Sequence, residues 1–264
     1  MHMSAYSTIE LHIDSKGVAT LWLNRPARNN AFNAEMIDEL IAVLGLLNSR
    51  DDVRFLFLRG RGKHFCAGAD LAWMQSCVAL DHAANLRDAH RLGELMSLLH
   101  HLPFTTVAVV HGAAFGGAVG LTACCDIAIG ASDALFSLSE VRIGLVPGVI
   151  SPYVVQAIGE RASRRYALSG ERFDGQQARR IGLLAETCPA HELDDAVASW
   201  TASLVQNSPQ AMRVCKRLLQ EVGSGVLSDG LRARTEEVIA GIRVSPEGQE
   251  GLNAFLEKRK PAWL

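Results

Sequence analysis

No apolar run in this chain reaches the ~18 residues that a bilayer-spanning helix needs. An excess of one charge is also missing: 26 lysines and arginines stand against 28 aspartates and glutamates, interleaved along the length. A net charge of −2 offers no clustered basic surface of the kind that grips nucleic acid. The opening Met1-His2-Met3-Ser4 has neither a charged n-region nor an apolar h-region, so a secretory signal is not expected. Six cysteines (Cys66, Cys77, Cys124, Cys125, Cys188 and Cys215) show no Cys-x-x-Cys spacing and no flanking histidine ladder. That argues against a structural metal site and for reduced thiols in a cytoplasm. No membrane, nucleic-acid or metal partner is therefore expected.

What is present suits a soluble globular protein. The 264 residues are 48% hydrophobic and 20% charged, enough for one large domain with a helical appendage. Residues 7–13 and 18–23 alternate as strands around a turn at Lys16-Gly17. Met36, Ile37, Leu40, Ile41, Leu44 and Leu47 then recur at helical spacing behind Asn33, placed as an N-cap. Val53 to Leu58 reads as a strand closed by Gly60 and Gly62, and a second helix is expected over 84–101, before Pro103. A buried strand follows over Thr105 to Val110, a helix opens at Gly116-Gly117, and short strands are expected at 126–130 and 135–138. From about residue 148 the chain reads almost wholly helical, with starts at Asp174 and Ser245-Pro246 and stops at Gly170 and Gly223. The expected class is α/β, with a core over residues 1–200 and a helical region over 201–264.

Two glycine-bearing loops carry the chemistry. One is Gly62-Lys-His-Phe-Cys-Ala-Gly-Ala-Asp-Leu71; the other is His111-Gly-Ala-Ala-Phe-Gly-Gly-Ala-Val-Gly-Leu121. Each lies where an extended apolar run ends, so small residues leave backbone N–H groups open to a ligand. Donors from two loops can converge on one oxygen that gains negative charge, as acyl chemistry requires. A dinucleotide-binding turn fits the second loop poorly, because Ala114 holds the place of the fingerprint's second glycine.

At these loops the sequence resembles the crotonase superfamily, the enoyl-CoA hydratase/isomerase proteins. The resemblance runs through Asn24-Arg-Pro with Asn30-Ala31, Phe65-Cys-Ala-Gly-Ala-Asp-Leu71, Phe115-Gly-Gly-Ala, Cys125-Asp-Ile-Ala, Ser139-Glu-Val-Arg-Ile-Gly-Leu-Val-Pro-Gly148 and Phe255-Leu-Glu-Lys-Arg. It implies a spiral of ββα units, a helical C-terminal region used in trimerisation, and assembly as a homotrimer or dimer of trimers. It also implies an acyl-CoA thioester substrate and no cofactor besides the coenzyme A that the substrate carries. The stretch 115–130, with Ser139 to Leu145, is most similar to bacterial 3-methylglutaconyl-CoA and isohexenylglutaconyl-CoA hydratases of leucine and acyclic-terpene breakdown.

The resemblance assigns catalysis to Glu140, handling protons, and to the backbone N–H groups of Ala67 and Gly117 as an oxyanion hole. Substrate binding falls to Arg28 and Lys258 for the phosphates, and to Cys66, Gly68, Ala69, Asp70 and Leu71 along the first loop. Trp73, Gly116, Gly120 and Gly148 complete that set, with Trp73 and Met74 candidates for the acyl pocket or for the core. His64, His90 and His111 match no catalytic position. Hydratases of the family commonly carry a second glutamate where this chain has Gly120. Its loss either clears room for a branched acyl group or spares a substrate carboxylate from repulsion. The expected activity is hydration of an enoyl-CoA, with single-glutamate double-bond isomerisation and silent CoA binding as alternatives.

Overall fold

The computed structural model describes residues 6–264; Met1-His2-Met3-Ser4 lies outside them. Strand β1 (Ile9–Ile13) pairs antiparallel with β2 (Val18–Leu23), Ile9 opposite Leu23. Helix α1 (Ala34–Asn48) follows, its N-cap Asn33 accepting the Met36 N–H at 3.0 Å. Met36, Ile37, Leu40, Val43, Leu44 and Leu47 are buried along one face, the spacing that stacks side chains over each other. β3 (Phe55–Gly60) then lies parallel to β2.

The same theme repeats with α2 (Leu71–Cys77), α3 (His82–His101) and β4 (Thr105–Val110), then β5 (Ala113–Phe115), α4 (Gly117–Cys124), β6 (Ile127–Ala131) and β7 (Leu135–Ser137). After α5 (Ser151–Ser169) come β8 (Arg172–Asp174), α6 (Gly175–Arg180) and β9 (Glu186–Cys188). Four helices close the chain: α7 (Leu193–Leu204), α8 (Pro209–Ser224), α9 (Asp229–Val244) and α10 (Pro246–Leu256). Two sheets result, one in the order β1-β2-β3-β4-β6-β9 and one in the order β5-β7-β8. The larger sheet is buried on both faces through β3 and β4, which explains their unbroken apolar runs.

By contacts the chain divides into two compact units. One comprises the residues up to Leu102 together with Thr106–Ala196; the other comprises Pro103–Thr105 with Val197–Leu264. In the second unit Lys216 is buried and its ammonium donates to the Phe104 carbonyl at 3.1 Å. There too Arg259 grips Glu250 at 2.6 and 2.9 Å, and Glu250 also accepts the Ala262 N–H at 2.8 Å. These bonds hold the Glu250 carboxyl down at about 2.

Three features depart from the sequence reading. Helix α2 buries none of its seven residues, so it has no periodicity to betray it; Asp70 starts it by accepting the Ala72 N–H. Strands β8 and β9 interrupt the region expected to be helical. At three residues each they are too short to show an alternation, and tertiary partners define them: Phe173 of β8 stacks on Phe136 of β7 at 5.4 Å. Helix α8 passes Gly223 and is capped by Gly225.

Candidate active site

The first loop is clamped from beneath by the Asn24-to-Ala31 segment. Buried Asn30 accepts the Arg25 N–H and donates to the carbonyls of Arg61 and His64, each at 2.8 Å. Arg25 in turn reaches the Ala31 carbonyl at 2.5 Å and the Asp70 carboxylate at 3.0 Å. His111 adds a bond to the Gly62 carbonyl at 2.8 Å. His64 has a buried Nδ1 without a partner, and burial pushes its pKa down, aided by Lys63 and His111. His90 is exposed on α3.

Within this loop the structure corrects several assignments. The Ala67 N–H is already donated to the Asn29 carbonyl at 3.0 Å, so it is not free to bind an oxyanion. Gly68, at φ +99°, breaks the strand alternation that places successive amides on opposite sides. Its carbonyl and the Asp70 N–H both turn to Phe32, at 2.8 Å each. The N–H of Ala69, trans to that carbonyl in the same peptide unit, therefore points away from Phe32. Among the described residues the N–H of Ala69 is spent on no internal bond. Ala69 is exposed, as a ligand donor must be.

Cys66 also leaves the binding set. Its N–H bonds the Ala113 carbonyl, its own carbonyl accepts from Phe115, and its buried thiol is pushed up to about 12. Asp70 spends one oxygen on the α2 cap and the other on Arg25, so it braces the loop. Leu71, 81% exposed, and half-buried Trp73 and Met74 lie on α2.

The second loop lies alongside the first, through the bridge of Cys66 with Ala114. Gly116 caps α4 and donates to the Ser137 carbonyl at 2.9 Å. The Gly117 N–H begins the helix, where unsatisfied donors and the macrodipole both favour negative charge. No partner within the chain takes that hydrogen among the described residues.

Glu140 begins a 3-10 turn (Glu140–Ile143) just after β7. Its Oε1 comes within 3.2 Å of the position that a Cβ on Gly116 would occupy, and its Oε2 is buried without any hydrogen-bond partner. Burial raises its pKa, only partly offset by a bond from its own backbone. An unpartnered, desolvated carboxyl beside a free helix N-terminus is poised to exchange protons with whatever that terminus holds.

Gly120 does not open acyl space. It is buried in α4, and a Cβ there would lie 2.2 Å from Cγ2 of Ile150 and 3.4 Å from Cε of Met96. The Ile150 side chain fills the place, at 3% exposure. Gly148 is exposed, but its N–H goes to the Val146 carbonyl at 2.8 Å, so that amide does not face a ligand. Arg28 is exposed in the first unit and Lys258, at φ +55°, is exposed in the second. Among the described residues no group of three His, Cys, Asp or Glu side chains could hold a metal ion, and no helix is long and apolar enough to cross a membrane.

Against known families, residues 14–264 match the model of the enoyl-CoA hydratase/isomerase proteins. The chain belongs to that family. A putative enoyl-CoA hydratase of Thermus thermophilus is 32% identical over 95% of this chain and 99% of its own. The 2,3-dehydroadipyl-CoA hydratase of Escherichia coli is 29% identical over 92% of this chain and 94% of its own. Among solved structures, an enoyl-CoA hydratase from Shewanella pealeana superposes with a TM-score of 0.94 at 46% identity, covering 98% of this chain and 97% of that one. The chain is thus an enzyme of the enoyl-CoA hydratase type with the crotonase fold.

Sequence reasoning placed Ala69 among the substrate contacts but not as the free amide donor, and it did not foresee Ile150 over Gly120. For Ala69 a signal existed, since a glycine within Cys66-Ala-Gly-Ala can reverse which amides face outward. The meeting of Ile150 with Gly120 joins residues 30 apart in sequence.

Proposed function

We propose that this enzyme adds water across the 2,3 double bond of an acyl-CoA thioester using one carboxyl group. The observation that carries the reading is the buried, unpartnered Glu140 oxygen beside the free amide of Gly117. The Ala69 and Gly117 N–H groups hold the thioester oxygen and stabilise the enolate that forms. Glu140, as carboxylate, takes a proton from the attacking water while the hydroxyl bonds to the β-carbon. The same carboxyl then returns that proton to the α-carbon, which closes the cycle with no net change in the enzyme. Coenzyme A arrives as part of the substrate, with Arg28 the candidate of this chain for its phosphates and Lys258 the candidate from a neighbouring copy.

The preferred acyl group is branched or of glutaconyl type, with a carboxylate of its own. Supporting this, Ile150 replaces charge with hydrocarbon over Gly120, so Glu140 is spared an acidic neighbour there. The Escherichia coli relative, named for dehydroadipyl-CoA, points the same way. Double-bond isomerisation is the second reading, favoured by the same lone acid: Glu140 would move one proton between the α- and γ-carbons.

Absorbance of the thioester-conjugated double bond tests both. Hydration of crotonyl- or 3-methylglutaconyl-CoA removes it, whereas isomerisation of a 3-enoyl-CoA creates it. Glu140→Gln is expected to cut turnover by roughly 10²–10⁴. Turnover equal to wild type in that variant would refute the assignment.

A further inference from the structure

Ile150 is buried over one face of α4, against Gly120. Gly117 and Gly120 are three residues apart, hence on one face of α4. The amide of Gly117 opens that face, the Glu140 carboxyl flanks it at Gly116, and Ile150 covers it at Gly120. The neighbouring Val149 comes within 3.9 Å of the position a Cβ on Gly93 would take, so Val149-Ile150 spans α3 and α4. Two glycines on two helices thus receive two consecutive branched side chains. Met96, 3.4 Å from the would-be Gly120 Cβ, backs the contact, with its sulfur 3.7 Å from the Cys124 thiol.

An acyl chain with its carbonyl oxygen at Gly117 and its α- and β-carbons beside Glu140 would, if it continued along this face of α4, meet Ile150 at Gly120. We propose that Ile150 is a specificity-determining residue, plugging the acyl end of the site over Gly120 and so setting how bulky an acyl group is accepted. The inference rests on the reading of Gly117 and Glu140 as the reacting end. The glycine beneath it is what makes the plug removable: truncating Ile150 leaves an apolar cleft floored by backbone, with no side chain to collapse into it from α4.

The test uses the full-length protein with Ile150→Ala and, as a milder variant, Ile150→Val. The kcat/KM ratio of an eight-carbon to a six-carbon 2-enoyl-CoA is expected to rise roughly tenfold or more in Ile150→Ala and by less in Ile150→Val, since a methylene of pocket space is worth on the order of tenfold or more at best fit. Calorimetric binding of octanoyl-CoA against hexanoyl-CoA reads the same pocket without turnover. A rise in that binding ratio supports the plug even if no enoyl-CoA is turned over, which would instead sink the proposed reaction. Equal loss for both chain lengths, in either assay and in both variants, would mean that Ile150 only supports the fold and would overturn the proposal.

Discussion

A single carboxyl group concentrates the physics of this site. Glu140 is desolvated, and one of its oxygens lacks any partner, so folding favours its protonated form and raises its pKa. The sign of the linkage follows from that. The favourable contribution is fully present below the ordinary carboxylate range, and it is lost as pH rises through the elevated folded value. Glu140→Gln keeps the shape without the ionisation. Calorimetric melting of the two proteins should therefore nearly coincide in acid, with the variant progressively more stable as pH rises toward 8. A wild type that gains on the variant with rising pH would show the carboxylate to be stabilised in the fold. The same desolvation would suit Glu140 to the proton transfer proposed for it.

At the scale of elements, the site is the junction of two loops with the first turn of α4. That helix is nearly all apolar, with Ala118, Val119, Leu121, Thr122 and Cys124 buried, so its axis is fixed by packing. A fixed axis keeps the Gly117 amide aimed without reorganisation during reaction, which is where donors of this kind gain their effect. Gly117 is the first helical residue, a position that accepts proline. Gly117→Pro thus deletes the donor while retaining the helix. Gly117→Ala keeps the donor but shares the crowding, because its Cβ would meet Phe32 at 3.1 Å. Steady-state kinetics should place the proline variant below the alanine variant in kcat by roughly 10²–10³. Equal values would leave that amide without a catalytic role. The first loop depends likewise on Asn30, whose three hydrogen bonds fix Arg25, Arg61 and His64. That network explains why Asn24-Arg-Pro and Asn30 lie so far from the second loop in sequence yet belong to the same site.

For the whole molecule, the second unit exposes large apolar side chains along its last helices, among them Val244, Leu252, Phe255 and Leu256. Scattered exposed leucines mean little, but consecutive Phe255 and Leu256 at 81% and 74% exposure are the composition of a contact surface. We expect homotrimers or dimers of trimers. Sedimentation equilibrium should return three or six times the 28.5 kDa of one chain; a monomer at micromolar concentration would contradict it.

Much of this was legible in the order of residues. Period-two strands expected at 7–13 and 18–23 and found at 9–13 and 18–23, the α1 face behind Asn33 and the glycine-opened α4 follow from local patterning, because each element answers to its own neighbours. The family resemblance likewise rests on short contiguous motifs. What tertiary structure alone decided are matters of direction and occupancy. Whether Ala67 or Ala69 offers its hydrogen depends on the segments lying either side of the loop, Asn29–Phe32 and Ala113–Phe115. Whether the vacancy at Gly120 is space or contact depends on Ile150, arriving from a separate turn. Side chains and amides are chosen by local chemistry, but which of them is spent inward and which is left for a ligand is settled only when distant segments pack.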